Sequence, residues 1–136
     1  LYKKFYKSSE NLFDLLQFPD IWLLAYFKWE LEFLETLGFG LDLKTCAVTS
    51  STEDLTYISP KTGRAVSKAA AGGWSSRLLP FPVAANGDVN SVEDILEGLR
   101  ISQFFLEKKV LAAFGMEHLP TARARFISSL ERKLKN

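Results

Sequence analysis

Cys46 is the single thiol of the chain and the first candidate for metal chemistry. A structural zinc site takes four ligands, usually two Cys-x2-Cys pairs held on turns. Counting from Cys46, the partner in the first pair is Thr49. Beyond the turn-rich stretch 57–63, a second pair would fall at Ser67 and Ala70. One ligand out of four cannot hold a structural zinc, so metal and other cofactors are expected to be absent. Cys46 then reads as a lone small residue at the base of a hairpin. His118, the single histidine, stands in a loop with no Cys or Asp placed beside it by any motif. It reads as a solvated side chain. Gly38-Phe-Gly40 lacks the rest of a phosphate-binding loop, and no Gly-Lys-Ser/Thr occurs. The acids read as solvated helix faces rather than a catalytic pair. No catalytic residue is assigned, and an enzyme is not expected.

Charge is distributed more tellingly than its total of +1. Residues 8–42 carry Glu10, Asp14, Asp20, Glu30, Glu32, Glu35 and Asp42 against Lys28 alone, a net of −6. Residues 99–136 carry eight bases against three acids, a net of +5. Such polarity draws an anionic partner towards the C-terminal helices. The 47% apolar and 13% aromatic content supports a packed core and argues against disorder. A chain of 136 residues fits one domain. No apolar run approaches the roughly 18 residues of a membrane span, and the lone Cys suits a reducing compartment. No signal peptide is expected. The opening Leu1-Tyr-Lys-Lys-Phe-Tyr reads as the middle of a helix, so residue 1 is not expected to be the natural start.

The elements that would position these residues are mostly helical. Leu1, Phe5, Leu12, Leu15 and Leu16 outline a stripe interrupted by Ser8-Ser9, and Phe18-Pro19-Asp20 breaks the chain, with Asp20 able to N-cap the next helix. From Ile21 to Leu37, Trp22, Tyr26, Trp29, Phe33 and Leu37 recur on one helix face, which Leu23, Leu24, Phe27, Leu31 and Leu34 widen. This helix is predicted to be the buried centre, ended by Gly38-Phe39-Gly40. A hairpin module is predicted over about 44–70, with strands at Leu55–Ser59 and Arg64–Ser67 joined by Ser59-Pro60-Lys61-Thr62-Gly63. Residues 69–90 read as a long loop. Helix returns at Ser91, where Ser91 and Asp94 approximate a capping box. The last helix, from about Pro120, buries Ala122, Phe126, Ile127, Leu130 and Leu134 and carries Arg123, Arg125, Arg132, Lys133 and Lys135 on its other side. The expected fold is mainly α, a helical bundle with an embedded small β-hairpin, degenerate zinc-ribbon-like.

The run Trp29-Glu-Leu-Glu-Phe-Leu-Glu-Thr-Leu-Gly-Phe-Gly-Leu-Asp-Leu-Lys-Thr-Cys46-Ala resembles the helix and turn of the RecO DNA repair proteins. Leu55-Thr-Tyr-Ile-Ser-Pro-Lys-Thr-Gly63-Arg-Ala-Val-Ser67 is similar to the next hairpin of that family. Arg77-Leu-Leu-Pro80 and Leu119-Pro-Thr-Ala-Arg123-Ala-Arg125 also match, most closely in the alphaproteobacterial branch. The resemblance implies a cytoplasmic, nucleoid-associated recombination mediator of the RecF pathway. Such a protein binds single-stranded DNA and the acidic tail of single-strand-binding protein, and works with RecR to load RecA. It also implies that the chain is the C-terminal helical domain, without the N-terminal OB fold. Several members bind zinc through four cysteines; here those positions read Cys46, Thr49, Ser67 and Ala70, so turns and packing must hold the module.

For the partner tail, the resemblance points to Lys28 as a carboxylate clamp, with Phe27, Leu31 and Leu34 as pocket walls. Ordinary core residues with a snorkelling lysine explain the same pattern. For DNA, the basic last helix offers Arg125 and Arg132, seven residues apart on one face, with Arg123, Lys133 and Lys135 close by, for sequence-independent phosphate contacts; Arg64 and Lys68 on the hairpin are further candidates. A solvated helix whose cations complement its C-terminal dipole is the other reading. An architectural or protein-interaction domain with no DNA binding of its own is the alternative function.

Overall fold

A computed structural model describes residues 2–14, 19–87 and 91–135. Two helices open the chain, α1 (Tyr2–Asp14) and α2 (Pro19–Thr36). The expectations for Leu1, Leu15 and Leu16, and for Asp20 as a cap, lie outside the described residues and side chains. α1 packs on α2 through rings and polar pairs together. Phe5 stacks on Trp29 at 5.4 Å, the Trp29 indole N–H donates to Ser9 Oγ at 2.9 Å, and Ser8 Oγ donates to Glu32 at 3.0 Å. The two serines that interrupt the apolar stripe are therefore the polar contacts of that helix pair. α2 ends where Gly38 adopts φ +93, a conformation that costs glycine little.

The middle of the chain forms a three-stranded antiparallel sheet in the order β2–β1–β3. β1 (Leu55–Ile58) pairs with β2 (Ala65–Ser67), placing Ile58 opposite Ala65 and Tyr57 opposite Val66. The turn between them closes as its residues dictate: Gly63 N–H donates to Ser59 O at 2.9 Å, with Gly63 at φ +70. The stretch predicted as one long loop is more ordered than its Ala, Gly and Ser content suggested. It contains α3 (Lys68–Ala71), a 3-10 helix Gly72–Arg77, β3 (Leu79–Pro80) and a second 3-10 turn Val83–Asn86. Each is too short to leave a periodic signal, and tertiary contacts supply what propensity does not.

α4 (Val92–Phe105) begins as expected, with Ser91 Oγ accepting from Asp94 N–H at 3.1 Å. It runs on through a π-helical stretch Leu106–Leu111 into α5 (Ala112–Phe114), and Gly115 at φ +65 stops it. α6 (Thr121–Lys135) closes the bundle. Of the three apolar clusters among the described residues, two tie the bundle together. One joins Phe27 of α2 to Ile95, Leu96 and Leu99 of α4 and Leu130 of α6. The other joins Leu34, Ile101, Phe105, Leu106 and Val110 of the bundle to Ile58, Ala65 and Phe81 of the sheet. The architecture is mainly α with a small antiparallel sheet. Among the described residues no helix is long and apolar enough to cross a membrane.

Candidate functional site: an aromatic groove and a basic helix

The face of α2 that faces inward is not the aromatic one. Phe27, Glu30 and Leu34 are buried, whereas Trp22, Tyr26, Trp29 and Phe33 are only half-buried. The recurrence of rings did mark one face, but that face is the wall of a groove rather than the centre of the core. Successive rings stack along it: Trp22–Tyr26 at 5.3 Å, Tyr26–Trp29 at 5.9 Å and Trp29–Phe33 at 5.6 Å. Phe126 of α6 meets Trp22 and Tyr26 edge-on. Leu106, Leu119, Pro120 and Ala122 complete an apolar cleft of about 570 Å³ between α2 and α6. Its size and lining suit an apolar or aromatic side chain on a partner.

A buried polar network forms the floor of this groove. Arg123 Nε donates to Glu30 Oε2 at 2.9 Å, and its Nη2 donates to Glu30 Oε1 at 2.6 Å. Nη1 donates to Gln103 Oε1 at 2.8 Å, and Nη2 also donates to Leu99 O at 2.9 Å. Tyr26 and Ser102 hydroxyls donate to the same carboxylate. Burial works against the Arg123 cation, but the hydrogen bonds and charge of Glu30 outweigh it and hold its pKa above the usual value. Burial, and then the Glu30 charge and hydrogen bond, push the Tyr26 phenol well above its usual range. Arg123 is therefore removed from the DNA-contact set. Its guanidinium is turned inward and committed to Glu30, Gln103 and a main-chain carbonyl.

The remaining basic residues of α6 do form a surface. Arg125, Arg132, Lys133 and Lys135 are exposed, and Arg125 and Arg132, seven residues apart, point away from buried Leu130. Glu131, the acid on this helix, pairs with Arg100 of α4 at 3.2 Å. Ala122 and Leu134 were expected to be buried and are exposed, because α6 contacts the bundle through a narrower stripe centred on Arg123 and Leu130.

The pocket predicted around Lys28 does not assemble. Phe27 and Leu34 are 0% exposed and lie inside the two core clusters, so neither can wall a pocket. Lys28 and Leu31 do line one cleft together, on the far side of α2 with Lys4, Ser8, Leu41 and Leu43. Glu32 and Glu35 line it too and would repel an acidic tail. His118 is exposed, with its ring Nδ1 3.0 Å from Leu119 O.

The four ribbon positions are organised without a cluster of metal ligands. Cys46 is fully buried beside Val66 and Ala71, and the Ser67 N–H points at its sulfur at 3.3 Å. Ser67 Oγ accepts from Ala70 N–H at 3.2 Å and caps α3, and Thr49 Oγ1 accepts from Ser51 N–H at 3.3 Å. Burial raises the Cys46 thiol pKa, but the Thr49 hydroxyl and the N–H groups of Ser67, Thr49 and Val48 pull it down to about 6. Among the described residues, no group of three or more His, Cys, Asp or Glu side chains is placed to hold a metal.

Residues 2–115 match the family described as recombination protein O C terminal. A protein from Ruegeria sp. (strain TM1040) described as DNA repair protein RecO is 52% identical over 135 residues, covering 98% of this chain and 56% of that protein. The like-named protein of Dinoroseobacter shibae is 47% identical over 131 residues, covering 96% and 54%. The chain belongs to the RecO family. It spans about half the length of these RecO relatives. No solved structure matches it. The resemblance to this family read in the sequence is thus borne out. Within this RecO chain Arg123 is a structural residue, and the groove beside it is not evident from the sequence. A signal for the pair was present. Glu30 sits between Phe27 and Leu34 on the apolar stripe of α2, and Arg123 lies seven residues before Leu130 on that of α6. Two opposite charges on two apolar stripes call for each other.

Proposed function

We propose that this chain is the partner-docking, helical part of a recombination mediator acting in DNA repair. In this reading the α2–α6 groove receives the acidic, apolar-ended tail of single-strand-binding protein. The observation that carries it is the row of half-buried rings Trp22, Tyr26, Trp29 and Phe33 facing Leu119 and Phe126 across an open apolar cleft. Stacked rings half-open to water are poor economy for a core but good anchors for a terminal aromatic side chain. Pro120, just before α6, and Ala122 in its first turn contribute to the wall, and the positive end of a helix favours a carboxylate there. The exposed cations of α6 supply a second function, contact with the backbone of single-stranded DNA. RecR and RecA loading belong to the whole mediator, to which this domain contributes the docked partner.

Titration with an acidic peptide ending in Phe tests the groove. Tryptophan emission should change on binding, Trp29→Ala should weaken it at least tenfold, and Lys28→Ala should leave it nearly unchanged. The absence of any response at low salt would remove the groove from the mechanism. An architectural domain predicts that absence.

A further inference from the structure

Trp74 is 64% exposed, on the 3-10 helix Gly72–Arg77 of the sheet module. In that geometry residues three apart eclipse one another, and the Arg77 guanidinium accordingly lies over the Trp74 ring, 5.0 Å from its centroid. Trp is highly buried on average, so an indole this open to solvent with a cation on one face is a candidate contact surface. The sequence of this segment is one-sided in charge as well. From Leu55 to Gly87 the sequence contains Lys61, Arg64, Lys68 and Arg77 and no Asp or Glu. All four bases are exposed. Arg64 faces Asp42 at 3.8 Å, whereas Arg77 lies at the ring itself.

A flat ring open to solvent, with a guanidinium beside it, matches the chemistry of an unpaired nucleotide: a π face to stack and a phosphate to neutralise. A duplex hides its base faces in the stack. We infer that Trp74 and Arg77 form a stacking platform for single-stranded nucleic acid on the sheet module, distinct from the basic face of α6. The inference extends the single-strand part of the proposed function to a second surface, and it rests on that part.

Fluorescence anisotropy of a labelled oligo-dT at low salt tests it on the 136-residue chain. Trp74→Ala should weaken binding about tenfold or more, with an unchanged melting temperature because the ring is exposed. Trp74→Phe should restore most of the affinity. Arg77→Ala should lower the magnitude of the salt slope by about 0.7. Binding of a matched duplex should not respond to Trp74→Ala. If Trp74→Ala binds oligo-dT normally while Arg125→Glu/Arg132→Glu does not, the platform is refuted and the α6 contact stands. The converse result supports the platform and refutes the α6 contact. Failure of the unaltered chain to bind oligo-dT overturns both. If Trp74→Ala affects only the acidic peptide, the surface docks protein and the inference is wrong.

Discussion

Replacing Arg123 by Met should cost this domain a large share of its stability and leave DNA contact by the folded protein intact. The substitution removes both arms of the guanidinium fork from Glu30, together with the bonds to Gln103 Oε1 and Leu99 O. Glu30, at 2% exposure, would keep only hydroxyl donors from Tyr26 and Ser102. Stripping one partner from a buried ion pair costs about 3–5 kcal/mol. A domain of this size holds about 5–15 kcal/mol in all. With a urea dependence of about 2 kcal/mol per molar, the midpoint should fall by about 2 M. Arg123→Lys should recover only part, since an ammonium cannot reproduce a bidentate fork. The double variant Glu30→Leu/Arg123→Met removes both charges and should regain most of the loss, because an apolar pair carries no desolvation cost. Equilibrium urea unfolding followed by far-ultraviolet dichroism measures all four proteins. A loss below about 1 kcal/mol for Arg123→Met, the ordinary range for a surface pair, would refute the buried-pair reasoning. It would also return Arg123 to the list of DNA contacts.

Gly98→Ala should destabilise by about 1–3 kcal/mol, since its new Cβ would stand 2.6 Å from Phe27 Cζ in a filled core; thermal melting checks it. Ser67→Ala should cost about 1 kcal/mol through loss of the α3 cap, read as a shift in urea midpoint. The Cys46 thiol, depressed from its usual value of 9.0 to about 6, favours the folded state more as pH rises. Its contribution should be complete above pH 9 and lost as pH falls through 6. Melting curves across that window should flatten in Cys46→Ala, and an unchanged pH profile would show that the thiol does not titrate there.

Periodicity located α2, α4 and α6 because each is long enough for apolar residues to repeat on one face. It located the hairpin because Pro60 and Gly63 leave the chain little choice of turn. It expected the whole widened face of α2 to be buried, whereas Phe27 and Leu34 are buried and the Trp22–Phe33 row is only partly so. Rings and aliphatic residues count alike as apolar, yet Gly98 of α4 lets that helix close on Phe27, whereas Phe126 holds α6 off the Trp22–Tyr26 row. The short elements between Lys68 and Asn86 lie below the length at which a pattern can repeat. The groove belongs to two helices about a hundred residues apart in sequence, so neither shows it alone.

The second apolar cluster joins the sheet to the bundle as a single unit, with Ile58, Ala65 and Phe81 packed against Leu34, Ile101 and Phe105. Within the hairpin module Ser67 caps α3 and Thr49 accepts from Ser51, so two of the four ribbon positions each serve a local turn of their own. The fastening to the bundle makes the sheet one wall of the bundle's own interior, so a disturbance at Ile58 or Ala65 should reach Leu34 and Phe105 directly rather than stay within the sheet.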